Sequence, residues 1–220
     1  MSYKAKVALE RIDNSQATGK IPELSEAERD MTPGKLARSD PGPRTQALRR
    51  ATQPLLELFI GRAIDQFQTY VVSIIREVLR KRPEILSSST YSLDVKSILE
   101  HSTIDSLVRD LVERKVDDLS YRGFEELAGW CRKQGIPLVV PSGSLDQVIE
   151  LIATRNAIAH NGGVIDHKYL ATVKNPRFKI GEIRVLEVDD LLGTTSLLGE
   201  VVGATDSLAV SSFGLETIDL

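Results

Sequence analysis

One cysteine, three histidines and a 5% share of aromatic residues leave this 220-residue chain without the means for several chemistries. Cys131 alone excludes an intramolecular disulfide and a cysteine-rich zinc site. His101, His160 and His167 show no metal-ligand spacing. No P-loop, glycine-rich dinucleotide turn, Gly-x-Ser-x-Gly elbow or internal repeat is present, so neither a metal nor a cofactor is expected. The scarcity of aromatics calls for an aliphatic core, as helix bundles have. With a net charge of −3 there is no global basic field, and any nucleic-acid site has to be a local patch. Apolar runs are too short to span a membrane, and residues 1–14 are too charged for a signal peptide. A soluble, cytoplasmic protein without a membrane partner is the expectation, in one domain or one domain with an appendage.

Residues 3–12 set Val7, Leu9 and Ile12 among charged residues, as a short amphipathic helix does. Gly19, Pro22, Pro33, Gly34, Pro41, Gly42 and Pro43 then interrupt the chain. Residues 1–43 therefore read as an N-terminal helix and a flexible Pro/Gly-rich connection, and residues 44–220 as the main helical domain. Leu48, Ala51, Leu55, Phe59, Ala63, Phe67, Val71, Ile74 and Val78 recur at steps of three and four. They predict one long helix ending near Arg82-Pro83. It starts at Thr52 with Pro54 in its first turn, or at Thr45 with Pro54 kinking it. The basic residues at its two ends are read as solvated faces.

Ser92 and Thr103 are candidate N-caps for helices running through Leu99 and from Ile104 towards Leu119. Residues 121–134 form a further helix with Phe124, Leu127, Ala128 and Cys131 inside, stopped by Gly135 and Pro137. Trp130 is assigned to packing. Residues 169–173 continue as a short helix or turn, and residues 182–188 alternate as a strand does, within a small β-hairpin near residues 176–188. Asp189 is a candidate cap for a last helix from Leu191 to about Leu208, followed by a frayed tail over 210–220. The fold class is mainly all-α: a bundle of five or six main helices with that hairpin.

The most informative stretch is Arg155-Asn156-Ala157-Ile158-Ala159-His160, followed by Asn161-Gly162-Gly163. It closes a helix whose expected N-cap is Ser144, with Gln147 as capping-box partner and Gly162 as the C′ glycine. With Leu145 at the origin and ~100° per residue, Val148, Ile149, Ile152 and Ala159 share one face, widened by Leu151 and Ile158. Asp146, Gln147, Glu150, Thr154 and Asn161 lie opposite. Arg155, Asn156 and His160 fall inside the arc expected to be buried. Two readings follow. Arg155 could be a structural cation paired with a core carboxylate, and His160 a histidine held by the helix dipole. Alternatively the three serve an interface or a reaction, since burying a lone guanidinium is costly.

Arg155-Asn156 followed by His160 resembles the Arg-x(4–6)-His motif of HEPN-domain ribonucleases. The run His160-Asn161-Gly162-Gly163-Val164-Ile165-Asp166, with Tyr169-Leu170 after it, is similar to the RiboL-PSP-HEPN branch. The resemblance implies a HEPN-like helical bundle and a metal-independent endoribonuclease, a hydrolase of toxin–antitoxin or antiviral-defence type. It implies RNA as substrate and a neutralising antitoxin or defence-system partner. RNA carries its own nucleophile, the 2′-hydroxyl, so the protein has to supply proton transfer and a cation for the phosphorane. His160 would be the acid or base, Arg155 the electrostatic clamp, and Asn156, one turn before His160, would orient either. Asn161 and the basic cluster Lys174, Arg177 and Lys179 are candidate substrate-binding residues. Arg155 and His160 stand ~140° apart on a straight helix, too far to meet at one phosphate. The family solves this with a homodimer whose paired motif helices build a composite cleft. The alternative is a non-catalytic HEPN-like module that binds RNA or a protein.

Overall fold

Where apolar residues step by three and four, the chain is helical. The computed structural model describes residues 43–88 and 95–215, with side chains apart from those of residues 43–50, 88 and 97. Its helices are α1 (Pro43–Lys81), α2 (Val95–Leu99), α3 (Ile104–Tyr121), α4 (Phe124–Gln134), α5 (Leu145–Asn161), α6 (His167–Thr172) and α7 (Val188–Phe213), with a 3₁₀ turn at Pro83–Ser88. Five are long and two short, which is the all-α bundle expected. No helix is long and apolar enough to cross a membrane, among the described residues. The amphipathic segment at residues 3–12, the breaker-rich connection up to residue 42, and Ser92 lie outside the described residues.

The described residues divide into two compact units: 43–59 with 185–192, and 60–88 and 95–184 with 193–215. In the first, Leu56 and Leu186 are buried. The Leu186 amide donates to Gln53 Oε1 at 3.1 Å, and Gln53 Nε2 donates to Glu57 Oε1 at 2.9 Å. In the second, α1 presents Ile60, Ile64, Phe67, Val71, Ile75 and Val78 to a core completed by Val112 and Val116 of α3, Leu127 and Cys131 of α4, Val148 of α5, and Leu198 and Val201 of α7. Burial pushes the Cys131 thiol up to about 12, so this side chain packs as a small hydrophobe. Two polar bonds tie α7 into this unit. Tyr70 donates to Asp206 Oδ1 at 2.6 Å, and the fully buried Thr205 hydroxyl accepts the Val139 amide at 3.0 Å. Burial, then the Asp206 carboxylate, raises the Tyr70 hydroxyl well above its ordinary pKa.

The capping at Thr103 forms as expected: its Oγ1 accepts the Ser106 amide at 3.1 Å, and Ser106 answers as the reciprocal partner. Gly135 ends α4 in the left-handed region (φ 68°). Several local expectations change. The long helix spans Pro43–Lys81 among the described residues and carries Pro54 inside. Its buried stripe runs 56, 60, 64, 67, 71, 75, 78, whereas Leu55 and Phe59 are exposed. The run Leu55-Leu56-Glu57-Leu58-Phe59-Ile60 offers apolar residues on every side, so periodicity there fixes no single face. Tyr121 ends α3 instead of starting α4, because Gly123 (φ 89°) intervenes. The last helix starts earlier than expected, with Asp190 and not Asp189 accepting an amide (Glu187 N, 2.8 Å), and it continues through residues 210–213.

The hairpin is replaced by a shorter pairing. Residues 181–184 lie antiparallel to 163–165, not to the residues just before Gly181. The Ile165 amide donates to Glu182 O, Gly181 to Ile165 O and Arg184 to Gly163 O, each at 2.8 Å, around one Val164–Ile183 bridge. Asn175 (φ 56°) and Pro176, which has no N–H, break the segment that a local hairpin would need. Ile64→Ala, at a fully buried site, should cost about 2–5 kcal/mol in chemical denaturation. Thr103→Ala, which removes only an exposed cap, should cost about 1 kcal/mol. Equal losses at the two positions would contradict this assignment of the core.

Candidate functional site

The two ends of α5 are made differently. Ser144 sits at the N-cap position, but its side chain makes no capping bond, so the expected box with Gln147 is not formed. The other end is built on glycine. Gly162 (φ 59°) and Gly163 (φ 80°) are both left-handed, where glycine avoids the Cβ penalty. The amides of both donate to the Ala157 carbonyl, that of Gly163 at 3.0 Å. This stop leaves His160 exposed in the last turn.

The buried face of α5 is rotated from the one the helical wheel predicts. Val148, Ile149, Ala153, Thr154 and Ala157 are buried. Thr154, expected on the solvent side, is 4% exposed, while Ala159, expected inside, is exposed. The cause is the neighbour. Ala153 and Ala157 are small enough to take α6 against them, and Ile165, Tyr169 and Val173 complete that cluster. The rotation carries Arg155 out of the interior, whereas Asn156 and His160, seven residues after Ile149 and Ala153, stay beside the buried face, and His160 is exposed because the helix ends there. Arg155 and Asn156 are half-buried.

All three line one cleft of about 890 Å³, together with Asn161, Asp166, Lys168 and Tyr169. The facing wall comes from α1 (Asp65, Gln68, Thr69, Val72) and from the α3–α4 junction (Ser120, Tyr121, Gly123, Phe124). Arg155 has a carboxylate partner: its Nε lies 2.6 Å from Asp65 Oδ1 in an ion pair, and its Nη1 donates to Asn156 Oδ1 at 3.1 Å. Nε and Nη1 are thus engaged by protein, and Nη2 remains for a ligand. Side-chain exposures of 29% for Arg155 and 37% for Asp65 make this a solvated pair. Asp65 was not legible as a site residue. It lies far upstream on another helix, without a local motif to mark it.

Beyond His160, Asp166 organises the floor. Its Oδ1 accepts the Tyr169 amide at 2.8 Å and caps α6, while its Oδ2 accepts Asn161 Nδ2 at 2.6 Å. The Tyr169 amide first, and then the Asn161 side chain, hold the Asp166 carboxyl below the usual carboxylate range. The buried Tyr169 hydroxyl donates to Glu150 Oε1 at 3.3 Å. The basic cluster lies apart. Lys174 Nζ is 3.0 Å from both Glu125 and Asp146, and Arg177 Nη2 is 3.5 Å from Glu150. Lys179 takes part through its backbone amide, which donates to Glu182 Oε2 at 2.8 Å. None of the three lines the cleft. Trp130 packs under the Lys115 ammonium, 4.9 Å from its ring centre.

Among the described residues, no group of three His, Cys, Asp or Glu side chains is placed to hold a metal ion. No protein-family model, curated protein or solved structure matches this chain.

A double-mutant cycle on Asp65→Ala and Arg155→Ala should give a coupling of about 0.2–1 kcal/mol, as for solvated pairs. A coupling of several kcal/mol would mean that the pair is buried in solution. For Asp166 the depressed folded pKa fixes the sign. Its contribution is present above the ordinary aspartate range and is lost as pH falls through the folded value. The melting-temperature gap between wild type and Asp166→Ala should therefore be full at neutral pH and close below about pH 4. A gap that widens in acid would refute the capping role.

Proposed function

We propose that this chain is a metal-independent endoribonuclease of HEPN type. The observation that carries the reading is the single cleft lined by Arg155, Asn156, His160 and Asn161, with the His160 imidazole open to solvent. Histidine changes charge in the physiological range and can take a proton from the 2′-hydroxyl or give one to the leaving 5′-oxygen. Arg155, steadied by Asp65 and Asn156, offers Nη2 to the pentavalent phosphate, whose extra charge it stabilises. Asn156 Oδ1 is engaged by Arg155, so its amide nitrogen is the group left to contact RNA. The attacking oxygen belongs to the substrate, so the products carry a 2′,3′-cyclic phosphate and a 5′-hydroxyl. Arg155 and His160 leave α5 in divergent directions, and a homodimer that sets two such helices together would pair the arginine of one copy with the histidine of the other.

The Asp65 contact favours a second reading, in which Arg155 is a structural cation and the cleft binds RNA or a protein without cleaving it. The two readings separate on one assay. Wild type should cleave mixed RNA in EDTA and spare 2′-deoxy substrates. His160→Ala should lose about 10²–10⁴-fold in rate while keeping its melting transition, since the lost dipole interaction is worth only about 0.3–1 kcal/mol. Arg155→Ala should also be slower, and light scattering should report a dimer. Equal cleavage by wild type and His160→Ala would end the catalytic reading of that histidine.

A further inference from the structure

We propose that Tyr121 is a nucleobase platform, and that the ligand of the α5 cleft is a single-stranded nucleic acid whose base stacks on this ring. The inference rests on the RNA reading of the cleft and narrows it to unpaired strands. Tyr121 is the last residue of α3 and is 91% exposed, yet it lines the same cleft as Arg155 and His160. An exposed aromatic alone means little. Its position gives it meaning: one wall of the cleft bears the Arg155 guanidinium and the Lys168 ammonium, groups that take phosphates, and the other bears a free aromatic face.

The surroundings of the ring favour a base over a protein partner. Protein interfaces centre on contiguous apolar patches. The chain neighbours of Tyr121 are the exposed Ser120, Arg122 and Gly123, and the Arg122 guanidinium is held by Asp118 at 2.9 Å. Gly123 has φ 89°, and a Cβ placed on it would meet no atom within 4 Å, so the backbone flank beside the ring is open. Phe124, which also lines the cleft, is fixed against Phe67 with ring centres 5.7 Å apart, so it forms wall and leaves Tyr121 as the free ring. A volume of about 890 Å³ lies within the range of ligand sites and leaves room for a nucleotide. Duplex RNA keeps its bases stacked inside, whereas an unpaired strand can splay one onto an aromatic side chain.

The test uses the full chain and a short, mixed-sequence 2′-O-methyl oligoribonucleotide, which cannot supply the attacking hydroxyl, with binding read by fluorescence anisotropy. Tyr121→Phe should bind as wild type does, because stacking needs the ring and not the hydroxyl. Tyr121→Ala should bind about 5- to 100-fold more weakly, with an unchanged melting curve. An oligonucleotide with abasic positions should bind wild type and Tyr121→Ala alike, and the duplex form should bind both weakly. Unchanged affinity in Tyr121→Ala, an equal abasic penalty in both proteins, or no binding by wild type would each overturn the proposal. So would a change of oligomeric state in Tyr121→Ala without a change in oligonucleotide affinity, which would make the ring a protein contact. Failure of the ribonuclease reading is separate. Tyr121-dependent binding without cleavage of unmodified RNA refutes the nuclease and keeps the platform. Cleavage unaffected by Tyr121→Ala, with unchanged KM, refutes the platform and keeps the nuclease.

Discussion

The left-handed Gly162–Gly163 pair is the constraint on which the site depends. A side chain with a Cβ at either position would resist that geometry, and α5 would run on into solvent. Because the helix stops there, residues 163–165 fall beside 181–184, and Asp166 is delivered to cap α6. Helix α6 then lies against Ala153 and Ala157, which decides which side of α5 is covered. The uncovered side carries the arginine, and the same glycine stop leaves the histidine exposed in the last turn. A backbone conformation at two glycines thus sets the rotation of a helix and, through it, the chemistry of a cleft.

Much of the architecture was legible because helix signals are local. The Thr103–Ser106 cap, the glycine stops at 135 and 162 and the apolar stripe of α1 beyond Phe67 are written within a turn or two of where they act. Facing was less legible. On α5 a wheel weighted by Leu and Ile pointed the wrong way, because two alanines and a threonine make the close contacts. On α1 the run 55–60 is apolar on all sides, and only the tertiary partners select Leu56 and Ile60. The strand-like run 182–188 found its partner across α6 and not next to itself, which alternation alone cannot reveal.

The candidate site shows the same division. The residues from Arg155 to Asn161 announce themselves as a cluster, since three polar groups interrupt one apolar face. Asp65 and Tyr121 reach the cleft from distant parts of the chain and carry no sequence mark. The charges of the cleft are also nearly balanced: Arg155 is met by Asp65, and Lys168 shares its wall with Asp166. A site of this kind gains less from long-range attraction than a strongly basic groove would. Discrimination then falls on shape and on which rings and donors a ligand can reach.

The placement of Trp130 has a practical consequence. It is the sole tryptophan, half-buried on α4, with the Lys115 ammonium of α3 4.9 Å from its ring centre. Indole emission responds to nearby charge, so its wavelength and intensity register the spacing of α3 and α4. The junction of those two helices is the stretch from Ser120 to Phe124 that walls the cleft. The protein therefore contains its own optical gauge: a ligand that draws the wall inward would change the fluorescence of an unlabelled chain, without any dye near the site.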